Sequence, residues 1–311
     1  MSPLTRILAA AGLAAALLLP APDTQAQRSP ERVRLLFTAN GLGYIDPCDC
    51  SSGLLGGLDH RAAAIRRLRE EGLPTLLLDL GNLFEIPAGP MTELGRRQAA
   101  FLEGELDSLG YQLVALGPND LQMHPEELQG CLPGGAAPFL LTNAGEGVLP
   151  GEGPVPVRRF RLGDVEAAFL AVVEEGAAEK LVPWEEALAG ALEEVSDADL
   201  RVVIAHLGFE TVQGLPERFP LADVVLDAAR LIPRQAMRYR GALLMSAAGK
   251  GQQLAVLDLT VDPSPGRRGR GVTAFQGRHI LLEPESPADP DVKARMGAFR
   301  ARLVRDGLIL P

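Results

Sequence analysis

Short apolar runs alternate along the chain with segments whose apolar positions recur at helical spacing. Val33 to Thr38 reads as a strand, and Leu58, Ala62, Ile65 and Leu68 then recur as one helix face. Gly72 stops that helix before a second apolar run, Thr75 to Asp79. A helix over about Thr92 to Leu109, closed by Gly110, leads into Gln112 to Leu116, and Phe139 to Leu141 is a further short run. Arg158 to Leu162 and Glu166 to Val173 read as paired strands around the turn Gly163-Asp164, and Pro183 to Val195 as a helix. Leu200 to Ala205 is an apolar strand that delivers His206. Val224 to Leu226, Ala242 to Ser246 and Gln253 to Val261 continue as strands, and a last helix spans about Asp289 to Arg305. Strands and helices interleaved in this way predict a layered α/β domain rather than a bundle or an all-β sandwich.

Residues 1–27 form a different pattern: Arg6, an apolar core from Ile7 to Leu19, then Thr24-Gln25-Ala26, the layout of a cleaved export signal. The apolar core is shorter than the roughly 20 residues a membrane span needs. The expectation is a single domain over residues 28–311, with its core at about 32–262 and a C-terminal strand and helix at 272–306, in the periplasm or secreted. Forty acidic against thirty basic residues give a formal net charge of -10. That balance disfavours nucleic acid and anionic lipid as partners. The one basic cluster, Arg267-Arg268-Gly269-Arg270, reads as a solvated hairpin tip.

The candidate chemistry sits where apolar runs end. Thr38-Ala39-Asn40-Gly41-Leu42-Gly43, Asp79-Leu80-Gly81-Asn82, Leu116-Gly117-Pro118-Asn119-Asp120 and Ala205-His206 each follow a strand-like run, the place for catalytic loops in an α/β fold. The order of these loops resembles the calcineurin-like metallophosphoesterases, and within them the catalytic domain of the UshA-like 5'-nucleotidases. In that family the corresponding loops read T-N-D-x-H-G, G-D and G-N-H-E, followed by a strand ending in H and another ending in G-H-x-H. The last motif falls on Asp227-Ala228-Ala229-Arg230-Leu231. The resemblance covers about residues 32–305 and implies a four-layer α/β/β/α sandwich.

Carried over position by position, the resemblance places the first aspartate ligand on Asn40, its neighbouring histidine on Leu42 and the bridging aspartate on Asn82. The asparagine ligand and the catalytic histidine fall on Pro118 and Asn119, or a one-residue shift puts Asn119 in the ligand place, and the two histidines of the last motif fall on Ala229 and Leu231. His206 alone matches. Two divalent ions about 3.5 to 4 Å apart need a shared carboxylate to offset their repulsion, and they activate water as a pair. A neutral Asn82 does not supply one. The expectation is therefore no cofactor, or at most one weakly held divalent ion near Asn40, Asn82 and His206, and no catalytic residue for hydrolysis. The alternative at each position is structural: the asparagines hydrogen-bond loop amides and His206 is a satisfied core residue.

Cys48 and Cys50 form a C-x-C pair after Pro47, close behind the first of these loops. Such a pair binds metal or exchanges between thiol and disulfide. A similar C-x-C segment followed by G-G-L occurs in a branch of exported UshA-like proteins, some with selenocysteine, which implies redox chemistry. Cys131 is the remaining cysteine, and a disulfide from it to Cys48 or to Cys50 is the structural alternative. The favoured function is an exported metallophosphoesterase-fold protein without phosphoester hydrolysis, with a thiol redox or metal-handling role at Cys48 and Cys50 and an unknown small molecule or redox protein as partner. An active 5'-nucleotidase-like hydrolase with an altered site, and a binding module using the emptied cleft, are the alternatives.

Overall fold

The computed structural model describes residues 29–50, 53–85, 91–131, 139–151, 153–263 and 271–310. The export-signal segment and the basic cluster at 267–270 lie outside the described residues. The first half runs β1 (Glu31–Thr38), a hairpin of β2 (Pro47–Cys50) and β3 (Gly53–Gly56), α1 (Leu58–Glu70), β4 (Thr75–Asp79), α2 (Glu93–Leu109) and β5 (Leu113–Val114). A 3-10 turn at Asp120–Gln122 and α3 (Pro125–Gly130) follow. The second half runs β6 (Arg158–Leu162), β7 (Val165–Val173), α4 (Trp184–Glu194), β8 (Leu200–His206), α5 (Phe209–Arg218) and β9 (Val224–Asp227). It continues through β10 (Arg234–Tyr239), β11 (Ala242–Ser246), β12 (Gln253–Val261), β13 (Val272–Leu281) and α6 (Pro290–Arg305).

Beside the two-stranded β2-β3 hairpin, two large sheets result, ordered β13-β12-β1-β4-β5 and β10-β11-β9-β8-β7-β6. Their inner strands, such as β4, β8, β9 and β11, are apolar and buried on both faces because the sheet is covered on both sides there, while the outer strands β6, β10 and β13 are partly exposed. In β1, Val33, Leu35 and Phe37 join Val202 and Ile204 of β8 in a core between the sheets. Leu36, one residue out of phase, packs instead with Ile65 of α1, Leu106 of α2 and Phe299 of α6. On the far side, Val203 of β8 packs with Leu188 of α4 and Leu215 of α5. Helix, sheet, sheet and helix therefore stack in four layers joined by three apolar cores, as the family resemblance implied. Each fully buried leucine or phenylalanine contributes about 1.5–3 kcal/mol to holding the layers. One polar exception is a buried pair: Arg34 faces Asp258 across β1 and β12, with Nη2 2.8 Å from Oδ2.

Strand direction places the site. β1, β4 and β5 are mutually parallel, so the loops after Thr38, Asp79 and Val114 leave from one edge. β7, β8, β9 and β11 are also parallel and release His206, Asp227 and Ser246 at the edge of the other sheet. The two edges meet. Asn40 O accepts from the Lys250 N–H at 2.7 Å, joining the loop after β1 to the loop before β12. Among the described residues, no helix is long and apolar enough to cross a membrane.

Candidate functional site

Where the two edges meet there is an open cleft of about 590 Å³, lined by Asn40, Leu42, Asn82, Pro118, Asn119 and His206. Glu174, Glu175, Ala229 and Leu231 complete the polar and apolar sides of its wall. The chain thus brings together every loop-end residue that the motif order singled out.

The asparagines form a closed amide chain. Asn82 Nδ2 donates to Asn40 Oδ1 at 2.7 Å, and Asn82 Oδ1 accepts from the Asn119 N–H at 2.8 Å. Asn40 Nδ2 donates to the carbonyls of Ala228 and Arg230 at 2.9 and 3.0 Å. Each amide orientation follows from the next, because a backbone N–H needs an oxygen and a carbonyl needs a donor. Asn40 and Asn82 have φ of 50° and 55°, the left-handed region that asparagine tolerates better than most residues, and Leu42 shares it at 50°. Glycine allows the loops to nest this closely. A Cβ on Gly117 would stand 2.2 Å from Asn82 Oδ1, and one on Gly81 would stand 2.6 Å from the Gly117 nitrogen.

A carboxylate with no role assigned from the motif holds the nest together. Asp120 Oδ2 accepts from the N–H groups of Asn82 and Gly117 at 2.7 and 2.9 Å, and Oδ1 from those of Leu83 and Phe84 at 2.9 and 3.3 Å. Burial pushes the pKa of Asp120 up to about 7, against the pull of these donors. Asp79 accepts from Thr38 Oγ1 at 2.6 Å and from the Gly81 N–H at 2.9 Å, and burial raises it to about 6. Asp120 was visible in the Gly117-Pro118-Asn119-Asp120 run. Glu174 had no signal, since it enters the cleft only through sheet geometry.

His206 continues the inward face of β8, after Val202 and Ile204. Its Nε2 lies 2.6 Å from the Leu80 carbonyl, so that nitrogen carries the proton. Nδ1 then carries a lone pair that is closed off from solvent and has no partner among the described residues. Burial lowers the imidazole pKa to about 4, so the ring is neutral at physiological pH.

Neither Cys48 nor Cys131 lines the cleft. Cys48 is buried in the β2–β3 hairpin opposite Leu55, and Cys50 pairs in register with Gly53, its side chain lying outside the description. Cys131 is a free thiol in the core beneath α2 and α3, where burial pushes its pKa up to about 11. The alternative reading, a disulfide from Cys131, has no counterpart among the described residues: Cys131 packs among Leu106, Leu128 and Phe139 as a small apolar side chain.

The donor set does not fit two divalent cations. The side-chain oxygens of Asn40 and Asn82 each already accept a hydrogen bond, while Leu42, Pro118, Ala229 and Leu231 offer no side-chain donor atom. Among the described residues, no group of three or more His, Cys, Asp or Glu is placed to hold a metal ion.

No family model and no curated protein matches the chain. Solved structures do. A 5'-nucleotidase precursor from Thermus thermophilus superposes with a TM-score of 0.72 at 18% identity, over 88% of this chain and 59% of that one. The sulfate thiohydrolase SoxB of the same organism, in complex with glycerol, gives 0.70 at 19% identity, over 90% of this chain and 62% of that one. The calcineurin-like phosphoesterase YfkN from Bacillus subtilis gives 0.71 at 15% identity, over 89% of this chain and 99% of that one. The chain thus spans about three fifths of the first two proteins and nearly all of the third. The chain therefore shares the fold of the calcineurin-like phosphoesterase, the 5'-nucleotidase precursor and SoxB.

Proposed function

We propose that this is an exported, periplasmic or secreted protein that keeps the metallophosphoesterase fold without phosphoester hydrolysis. The observation that carries this reading is the hydrogen bond from Asn82 Nδ2 to Asn40 Oδ1. Those two side chains occupy the places where the resemblance puts the carboxylates of a two-metal centre, and as neutral amides they satisfy each other. Without the bridging charge, the repulsion between two close divalent cations is uncompensated. Export is supported by the layout of residues 1–27.

The accompanying activity is thiol chemistry at Cys48 and Cys50. Strand positions two apart lie on one face of β2, which supports a pairing of the two. Oxidation to a disulfide releases two protons and two electrons, and an external disulfide takes them up as it is cleaved to two thiols. A Cys48–Cys50 bond closes a tight ring, which favours ready reduction.

The test combines metal analysis of the purified protein, hydrolysis of p-nitrophenyl phosphate with added manganese, and thiol counting before and after mild reduction. The expected result is no metal-dependent rate and two thiols gained on reduction. Two metal ions per chain, with a rate abolished by His206→Ala, would establish the active hydrolase instead. A second reading, ligand binding in the cleft, is favoured by the cleft's volume of about 590 Å³.

A further inference from the structure

One lip of the cleft presents large apolar side chains to solvent from a backbone that is held still. Leu231 and Ile232, in the loop after β9, are 55% and 71% exposed, and Phe209, at the start of α5, is 49% exposed. Leu231 and Gly208, the neighbour of Phe209, both line the cleft, so the two segments belong to the same rim. The loop is not frayed. The Arg230 carbonyl accepts from Asn40 Nδ2 at 3.0 Å, that of Leu231 from the Gly249 N–H at 3.1 Å, and that of Ile232 from Ser246 Oγ at 3.2 Å. The Arg234 N–H donates to the same Ser246 oxygen at 2.7 Å. A backbone tied by four hydrogen bonds has little freedom left to lose on association, the condition under which exposed apolar groups act as anchors.

Charged groups of both signs flank these side chains. The guanidiniums of Arg230 and Arg234 lie over the Phe209 ring, 4.9 and 5.2 Å from its centroid. The buried Asp227 carboxylate feels both of them, yet neither hydrogen-bonds to it. Neither makes an ion pair among the described residues. Glu210, exposed beside Phe209 in the first turn of α5, has no ion-pair partner among the described residues either.

We propose that this rim is the contact surface for a second copy of the chain, in a two-fold pair with Phe209, Leu231 and Ile232 at its centre and the arginines of each copy facing Glu210 of the other. A two-fold axis sets one patch against itself, so the patch satisfies its own charges only when it carries both signs side by side. This one does. Two copies of a chain with a formal net charge of -10 repel each other in most orientations, and the unpaired arginines select this one. An exposed aromatic ring with arginines upon it is also the composition of interface centres.

Sedimentation velocity of the purified protein over a concentration series tests the pairing. The expected result is a monomer–dimer equilibrium. Ile232→Asp, at a side chain too exposed to matter for folding, is expected to weaken it by at least about tenfold with an unchanged melting temperature. Arg230→Glu and Glu210→Arg are each expected to weaken it similarly, and the two together to return it to within about threefold of the parent. Leu310→Asp, at an exposed apolar side chain outside this rim, is expected to dimerise as the parent does. A parent that stays monomeric to about 0.1 mM overturns the proposal. So does a dimer that survives Ile232→Asp, a double reversal no better than the singles, or an equal loss in Leu310→Asp. A monomeric parent that floats with phosphatidylglycerol vesicles, and does so less in Ile232→Asp, makes the surface a lipid contact and overturns it as well.

Discussion

The side-chain amide of Asn82 meets Oδ1 of Asn40 at 2.7 Å, with both residues in the left-handed backbone region and both buried. Asn82 cannot turn its oxygen toward Asn40 without taking it from the Asn119 N–H, and Asn40 cannot turn without abandoning two carbonyls. The pair is therefore locked by its neighbours. It joins the loop after β1 to the loop after β4, the same joint that a shared carboxylate would make in a metal-bound centre.

Restoring the carboxylate alone should harm the protein. Asn82→Asp replaces a donor with an oxygen facing the Asn40 oxygen, while the Asn119 N–H keeps its acceptor. The loss of one buried hydrogen bond and the new repulsion are expected to lower stability by about 1–3 kcal/mol. Added manganese should not recover it, because Leu42, Ala229 and Leu231 still provide no ligand. Thermal melts with and without metal check this, and a large metal-dependent rise in Tm would contradict it.

The nesting of the loops predicts opposite responses at two glycines. Gly117→Ala places a methyl group 2.2 Å from Asn82 Oδ1 and 2.6 Å from its nitrogen, so the loop must shift and the amide chain must break. Overpacking of this kind is expected to destabilise by about 1–3 kcal/mol. Gly104→Ala, within α2 with nothing inside 4 Å of the new methyl, should stabilise by about 0.5–1 kcal/mol. Urea denaturation of the two variants decides it, and equal midpoints would mean the loops are looser than this.

Much of the frame was legible because its signals are local. Helix α2 shows its ends in the chain itself, with Thr92 accepting from the Gly95 N–H and Gly110 in the left-handed conformation. The strands β4, β6, β11 and β12 match their apolar runs residue for residue. Three departures have physical causes. The run Gln112 to Leu116 is only Leu113–Val114 as strand, because it forms the edge of its sheet and leaves through an isolated bridge from Ala115 to Leu140. The run Phe139 to Leu141 contributes that same bridge rather than a strand of its own. Helix α5 went unseen because Gly214 and Pro216 interrupt its pattern, although Val212 and Leu215 still bury its inner face. At the site, the asparagines and His206 were visible as polar residues closing apolar strands. The hydrogen bonds that saturate them, and the arrival of Glu174 beside His206, depend on contacts between residues far apart in the chain. No local pattern encodes those.

Cys131 offers a direct check on the core beneath α2 and α3. Its thiol is buried and its pKa is pushed up to about 11 by desolvation, with Glu103, Glu127 and Asp120 adding to the effect. The nucleophilic thiolate is therefore scarce at pH 8, and access is blocked as well. Brief alkylation of the native protein should leave the Cys131 peptide unmodified, and alkylation in guanidinium should label it. Mass spectrometry of the digested protein reads both states. Rapid labelling in the native state would show that this core opens far below the global unfolding free energy.

His206 predicts how stability responds to acid. Its pKa is lowered by burial from 6.5 to about 4, so the folded protein holds the ring neutral where the unfolded chain would protonate it. The contribution is present above about pH 6.5 and is lost as pH falls toward 4. A shift of this size corresponds to about 3 kcal/mol across the window. Asp79 and Asp120 act with the opposite sign: their raised values favour the folded state in acid, and that advantage fades as pH rises from near 3.8 toward 6 and 7. The parent protein alone therefore mixes the two effects, and the difference from His206→Gln isolates one of them. Glutamine can still donate to the Leu80 carbonyl but does not titrate. The Tm of the parent relative to the variant should fall between pH 6.5 and 4 and stay level above 7. Two curves that run parallel over the whole range would mean that the imidazole is not held neutral in the folded protein.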